Sequence, residues 1–137
     1  MTTAAVKTNE QLVHDVIAFL ETGEAADGLF AADAFCDLTI PLWRIQARGH
    51  DDVVALRTTT HPDLGSARAT RWEPTPSGFV LELTESWSSG GEDWTCRELM
   101  WAVVVDGEIT DLSVYCTGDW DRARRAEHAR AVTLIRP

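Results

Sequence analysis

Residues 79–118 read FVLELTESWSSGGEDWTCRELMWAVVVDGEITDLSVYCTG. Phe79, Leu81, Leu83, Glu85 and Trp87 alternate with Val80, Glu82, Thr84 and Ser86, the period of a β-strand with one mostly apolar face. Ser89-Gly90-Gly91-Glu92 reads as a hairpin turn, and Trp94 to Val105 as the returning strand. Asp106-Gly107 is a second turn signal, and 108–118 forms a last strand. Strands joined by such short turns run antiparallel, so the pattern excludes a parallel α/β sheet.

The first turn sets the faces. Centred on Gly90-Gly91, it pairs Ser89 with Glu92, Trp87 with Trp94, Glu85 with Cys96 and Leu83 with Glu98. Cross-strand partners share a face. One face then carries Phe79, Leu81, Leu83, Glu85 and Trp87 with Trp94, Cys96, Glu98, Met100 and Ala102. The other carries Glu82, Thr84 and Ser86 with Arg97, Leu99, Trp101 and Val103. The second turn allows two registers. A two-residue loop places Tyr115, Ser113 and Asp111 beside Glu98. A three-residue loop with Gly107 in a bulge places Cys116, Val114 and Leu112 there.

Upstream, Thr8-Asn9-Glu10-Gln11 has the form of a capping box, and Leu12, Val13, Val16, Ile17 and Leu20 recur at helical spacing up to Gly23. This predicts a helix over 9–22, with a short second helix at about 24–30 ending in Leu29-Phe30. The pattern turns extended from Ala34 to Pro41 and again from Trp43 to Arg48. Residues 49–60 read as a helix with Val53, Val54 and Leu56 on its apolar side. After the loop His61-Pro62-Asp63-Leu64-Gly65, residues 67–73 suit a strand, turned by residues 74–78. Asp119 is placed to cap a C-terminal helix. The layout is α+β in one domain, 1–137, with a flexible N-terminus at 1–8 and a C-terminal helix and tail at 119–137.

Composition narrows the function. The chain has 137 residues, 45% hydrophobic and 25% charged, enough for one domain with its own core. A net charge of −10 disfavours nucleic acid and membrane surfaces as partners. Six Trp residues need a core or a ligand to cover them. The start lacks the apolar stretch of a signal peptide, and three widely spaced cysteines give no disulfide framework, so a cytoplasmic setting is expected.

The order of elements, with Leu29-Phe30-Ala31-Ala32-Asp33-Ala34, Gly49-His50-Asp51-Asp52-Val53 and Val105-Asp106-Gly107-Glu108-Ile109-Thr110-Asp111-Leu112 running into Tyr115 and Asp119-Trp120-Asp121, resembles the nuclear transport factor 2-like superfamily. Its SnoaL-like polyketide cyclases, ketosteroid isomerases and limonene epoxide hydrolases share this layout. The resemblance implies a cone-shaped, curved antiparallel sheet (a cystatin-like roll) wrapped around N-terminal helices, with a pocket inside. It favours the bulged second hairpin, with Cys96 opposite Cys116 and Glu98 opposite Val114. It also turns Cys36, Leu38 and Ile40 inward. The catalytic sets of those relatives do not carry over. The isomerase base falls at Leu38. The hydrolase residues fall at Cys36, Leu38, Val114 and about Leu83, and one Asp alone meets a carboxylate, near Glu85.

Glu98 and Glu85 are therefore the candidate catalytic groups. A carboxyl among Leu, Trp and Met is desolvated, and two close carboxyls can divide into acid and base. A salt bridge to Arg44, Arg68 or Arg71 is the structural alternative. Trp43, Arg44, His61, Phe79, Leu83, Trp87, Cys36, Leu38, Cys96, Met100, Val114 and Cys116 are the candidate ligand-binding residues. The cysteine spacing fits no metal-ligand pattern, so no metal site is expected, although Cys36, Cys96 and Cys116 on one face of adjacent strands leave a metal-binding thiol site as a third reading; no Gly-rich phosphate loop implies an organic cofactor. The expected activity is carboxylate acid–base chemistry on a small apolar carbonyl or epoxide compound, as in a cyclase, isomerase, dehydratase or hydrolase. The alternative is a non-catalytic module binding a ligand or partner protein through the same cone. The apolar outer face, with Leu99, Trp101 and Val103, is expected to pair two copies as a homodimer.

Overall fold

A computed structural model describes residues 5–137; residues 1–4 of the expected flexible N-terminus lie outside the described residues. Lys7 is held by Asp15 (2.7 Å) and by the Asp27 carbonyl (2.5 Å). Helix α1 spans Asn9–Thr22. Its capping box forms as the sequence indicates: Thr8 Oγ1 accepts the Gln11 N–H at 3.2 Å, and Gln11 Oε1 accepts the Thr8 N–H at 2.8 Å. Gly23, with φ 74°, ends the helix in the left-handed conformation.

The second helix expected at 24–30 does not form. Gly28 takes a left-handed φ of 75°, and the Leu29 carbonyl accepts the Ile109 N–H at 2.9 Å. Leu29 and Phe30 are thereby claimed by the sheet. Strand β1 is Phe30–Ile40, earlier than its predicted start, and β2 is Trp43–Arg48. Helix α2 follows at His50–Thr60. Strands β3 (Ser66–Thr75), β4 (Gly78–Ser89), β5 (Glu92–Val105) and β6 (Glu108–Cys116) complete the sheet. Helix α3, Arg122–Ala131, is capped by Asp121, whose carboxylate accepts the Arg124 N–H at 2.7 Å. The cap is therefore Asp121 and not Asp119, the residue the sequence suggests.

The six strands form one sheet in the order β2-β1-β6-β5-β4-β3. Every neighbouring pair is antiparallel except β1 with β6, which run parallel. The β4–β5 register is the one expected, with Glu85 opposite Cys96, Leu83 opposite Glu98 and Trp87 opposite Trp94.

The β5–β6 register combines features of both alternatives. The turn is the tight one: Val105 pairs with Glu108, and Asp106 and Gly107 both have positive φ, 52° and 75°. The register then shifts, because Val104 pairs with Ile109 and Val103 with Asp111. Thr110 is the extra residue of a β-bulge. Downstream, Glu98 faces Cys116, Met100 faces Val114 and Ala102 faces Leu112. The bulge thus lies at Thr110 and not at Gly107. The pairs expected from the resemblance, Cys96 with Cys116 and Glu98 with Val114, are displaced by two residues. A two-residue displacement keeps the same face inward, so Cys116 and Val114 still point as expected.

The core is continuous. Leu12, Val13, Val16, Phe19 and Leu20 on one side of α1 pack with Leu29, Phe30, Phe79, Leu81, Leu83, Ala102 and Ile109. Val53 is the buried residue of α2. The segment after β6 is strapped back onto the sheet, as Thr95 and Trp120 exchange backbone hydrogen bonds of 3.0 and 2.8 Å. Among the described residues, no helix is long and apolar enough to cross a membrane.

Candidate functional site

The concave side of the sheet, α1 and α2 enclose a cavity of about 660 Å³. That is within the usual range for a small-molecule site. Its wall is mostly apolar: Val16, Phe19 and Leu20 from α1; Phe30, Cys36, Leu38 and Ile40 from β1; Val53 and Leu56 from α2; Cys96 and Met100 from β5; Leu112 and Val114 from β6. The polar wall residues include Arg57, Thr60, His61, Glu98, Cys116, Asp119 and Arg124.

Both carboxylates singled out in the sequence are buried, Glu85 3% exposed and Glu98 9%. Their surroundings differ sharply. Glu85 is bound by Arg57, whose Nη2 and Nη1 donate to its two oxygens at 2.5 and 3.1 Å. The same guanidinium donates to the Leu20 carbonyl at 2.7 Å, tying α2 to the end of α1. The partner is thus neither Arg44, Arg68 nor Arg71. Arg44 pairs with Asp37, and Arg71 lies 3.4 Å from Glu82.

Glu98 has no cation of its own. Its Oε2 is buried without a hydrogen-bond partner, and Cys96 Sγ is 3.7 Å from its Oε1. Burial, and then the neighbouring Glu85 charge, push its carboxyl well above the usual carboxylate range. One carboxylate is compensated and the other is not, so the two are no longer equivalent candidates.

Three sulfur and oxygen donors meet at this point. Cys96, Glu98 and Cys116 bring one ligand atom each to within 4.8 Å of one another. The Gly118 N–H donates to Cys116 Sγ at 3.4 Å. The Cys116 thiol is lowered by the hydrogen bond it shares with Cys96, while that same bond and burial raise Cys96. Cys36 stands on the neighbouring strand, and burial pushes its thiol up to about 11.

Of the candidate ligand-binding residues, His61, Cys36, Leu38, Cys96, Met100, Val114 and Cys116 line the cavity, together with Glu98. Five others are placed elsewhere. Trp43 is 67% exposed and Arg44 is held at the surface by Asp37. Both lie on β2, the edge strand, outside the cavity wall. Phe79 and Leu83 are completely buried in the core with the α1 side chains. Trp87 lines a smaller adjoining pocket of about 180 Å³, with His61 and Trp94. The His61 ring packs edge-on against Trp87, with centroids 4.2 Å apart.

Several wall residues were not singled out from the sequence. Val53, Leu56, Arg57 and Thr60 form a stripe at i, i+3, i+4 and i+7 on α2, a spacing that places them on one face. That stripe was the available signal for Arg57. Trp120 reaches the wall from the strap after β6 and Arg124 from the first turn of α3, positions that only the tertiary fold brings to the cavity.

No family model matches the sequence, and no curated protein matches it. Similarity appears among solved structures. One is an NTF2-like protein from Anabaena variabilis, 15% identical, with TM-score 0.66 over 87% of this chain and 96% of that one. A second is an LEH-like epoxide hydrolase from M. tuberculosis, 15% identical, TM-score 0.63, covering 79% of this chain and 81% of the other. A third, from Catenulispora acidiphila, is a protein with a ketosteroid isomerase-like fold in complex with trimethylamine. It is 14% identical, with TM-score 0.64 over 80% of this chain and 88% of that one. The chain has the nuclear transport factor 2-like, SnoaL-like fold.

Proposed function

We propose that the chain binds a small, mostly apolar molecule in the cone and acts on it by proton transfer at Glu98. The observation that carries this reading is a buried carboxyl without an ion-pair partner, Glu98, on the wall of a 660 Å³ apolar cavity. As an acid such a group hands its proton to a carbonyl or epoxide oxygen bound beside it; as a carboxylate it takes a proton from the carbon next to a carbonyl, and the apolar wall limits the access of bulk water. Glu85 takes a supporting role. Locked to Arg57, it holds α2 against the sheet and sets the charge that Glu98 feels. Solved structures of the same fold include an epoxide hydrolase and proteins with a ketosteroid isomerase-like fold, which is consistent with reactions of this type.

The test is turnover of a panel of apolar epoxides and enones by the wild type and Glu98→Gln, with binding followed separately by tryptophan fluorescence. Loss of about a hundredfold or more in kcat with binding retained is the expected result. Unchanged turnover in Glu98→Gln sinks the mechanism. Retained binding with no turnover by the wild type favours the second reading, a non-catalytic binding module. The neutralised Glu85–Arg57 pair speaks for that reading, because it leaves one candidate carboxyl where an acid and a base were expected.

A further inference from the structure

Cys96, Glu98 and Cys116 are far apart in sequence or on alternate residues of one strand, and only the β5–β6 register unites them. Cys116 is the direct cross-strand partner of Glu98, and Cys96 lies two residues away on the same face. Their donor atoms fall within 4.8 Å of one another. The carboxyl keeps one oxygen buried and unpartnered. Asp119 also lines the cavity, and the nearest guanidinium, Arg57, is already taken up by Glu85. Three acidic donors and an unmatched oxygen, with the Arg57 guanidinium already engaged by Glu85, form an arrangement that a positive ion completes.

We propose that Cys96, Glu98 and Cys116 form a binding site for a thiophilic divalent cation of the zinc type. The donor set is two sulfurs and one carboxylate, the ligands such an ion takes with bond lengths of about 2.3 and 2.0–2.2 Å. Tetrahedral binding at those lengths spaces the donors by about 3.5–3.8 Å. The Cys96 Sγ to Glu98 Oε1 distance is already 3.7 Å and all three donors lie within 4.8 Å, so assembly asks only for a short inward movement of the donors. The Gly118 N–H on Cys116 Sγ supplies the outer hydrogen bond that orients such a ligand. Three protein ligands leave a fourth position, and all three residues line the cavity, so that position opens onto the space where a small molecule would sit. On binding, the ion displaces the protons of the two thiols and of the Glu98 carboxyl, which leave to solvent.

The site shares Glu98 with the function proposed above but does not depend on it. Proton and cation are alternative occupants of the same carboxyl. Metal binding is therefore measured without any substrate, and turnover on chelator-treated protein, so that either can fail alone. In the chelator-treated full chain, Zn²⁺ competed against a chromophoric chelator should bind one to one. Co²⁺ should give the thiolate-to-cobalt charge-transfer band of a tetrahedral sulfur site, and Zn²⁺ should raise the melting temperature. Cys96→Ser, Glu98→Gln and Cys116→Ser should each weaken binding by about tenfold or more, since even the loss of an outer-shell partner costs that much. The cobalt spectrum of the wild type requires no variant, and remains decisive if a substitution fails to fold. An octahedral cobalt spectrum without a thiolate band overturns the proposal. So does zinc affinity that survives Cys96→Ser/Cys116→Ser.

Discussion

Arg57 and Glu85 carry the clearest consequence at the scale of single residues. Glu85 is buried and Arg57 nearly so, its side chain 11% exposed on the cavity wall, and their fork-to-carboxylate contact is largely desolvated. Removing one partner leaves a bare charge in the core. Arg57→Met should cost about 3–5 kcal/mol in urea unfolding, and Arg57→Met/Glu85→Met should recover most of that loss. Equal destabilisation by the single and the double variant would show that Arg57 acts through the Leu20 carbonyl instead. At this scale the sequence was informative about burial and poor about partners. Strict alternation along β4 and β5 placed Glu85 and Glu98 inside without any knowledge of the fold. Which carboxylate is neutralised depends on a side chain 28 residues away on α2. The same limit explains Trp43 and Arg44, whose residue types suit a ligand site but whose strand ends up at the sheet edge.

At the scale of elements, the β5–β6 hairpin decides which side chains enter the cavity. Without the bulge, the tight turn would bring Tyr115 inward and send Cys116 out. Deleting Thr110 should therefore invert the face of the rest of β6. The expected outcome is loss of cooperative unfolding by circular dichroism, because the inversion would bury Asp111, Ser113 and Tyr115 in place of Leu112, Val114 and Cys116. A two-state melt close to that of the wild type would count against this view of the register. The turn itself is equally specific. Gly107 has φ 75°, and a Cβ there would sit 2.5 Å from Val6 Cγ1 and 2.9 Å from the Lys7 nitrogen. Gly107→Ala should cost about 1–3 kcal/mol, measurable by the same urea titration. Strand and helix existence was legible because periodicity and turn chemistry are local. Thr110 carries no mark of a bulge, and the helix expected over 24–30 lost to a backbone bond between Leu29 and β6. Both are tertiary effects that override local preference.

For the whole molecule, the antiparallel run β3–β6 follows directly from hairpins, whereas the docking of β1 against β6 has no local signal. It was reachable only through the likeness of short motifs to a known fold. The outer face of the sheet presents Leu99, Trp101 and Tyr115, which are 44%, 53% and 57% exposed. We propose that this patch pairs two copies of the chain, since water is a poor partner for so much apolar surface on one face. Sedimentation velocity should find a dimer for the wild type and a monomer for Trp101→Glu, with the melting curve of the fold retained. A monomeric wild type would remove the dimer from consideration.

The parallel pairing of β1 with β6 also has a consequence in time. The first strand to be synthesised must wait for the last one before it gains that neighbour, and both strands line the cavity. The hairpins of β3 to β6 join residues close in sequence and close early. β1 and β2 can complete the wall only after nearly the whole chain has been made, because contacts of long sequence separation are slow to form. Until then Cys36, Leu38 and Ile40 face water on a nascent chain. The pocket is thus the last part of the molecule to exist, and a stalled or shortened chain would expose its lining to aggregation instead of to a ligand.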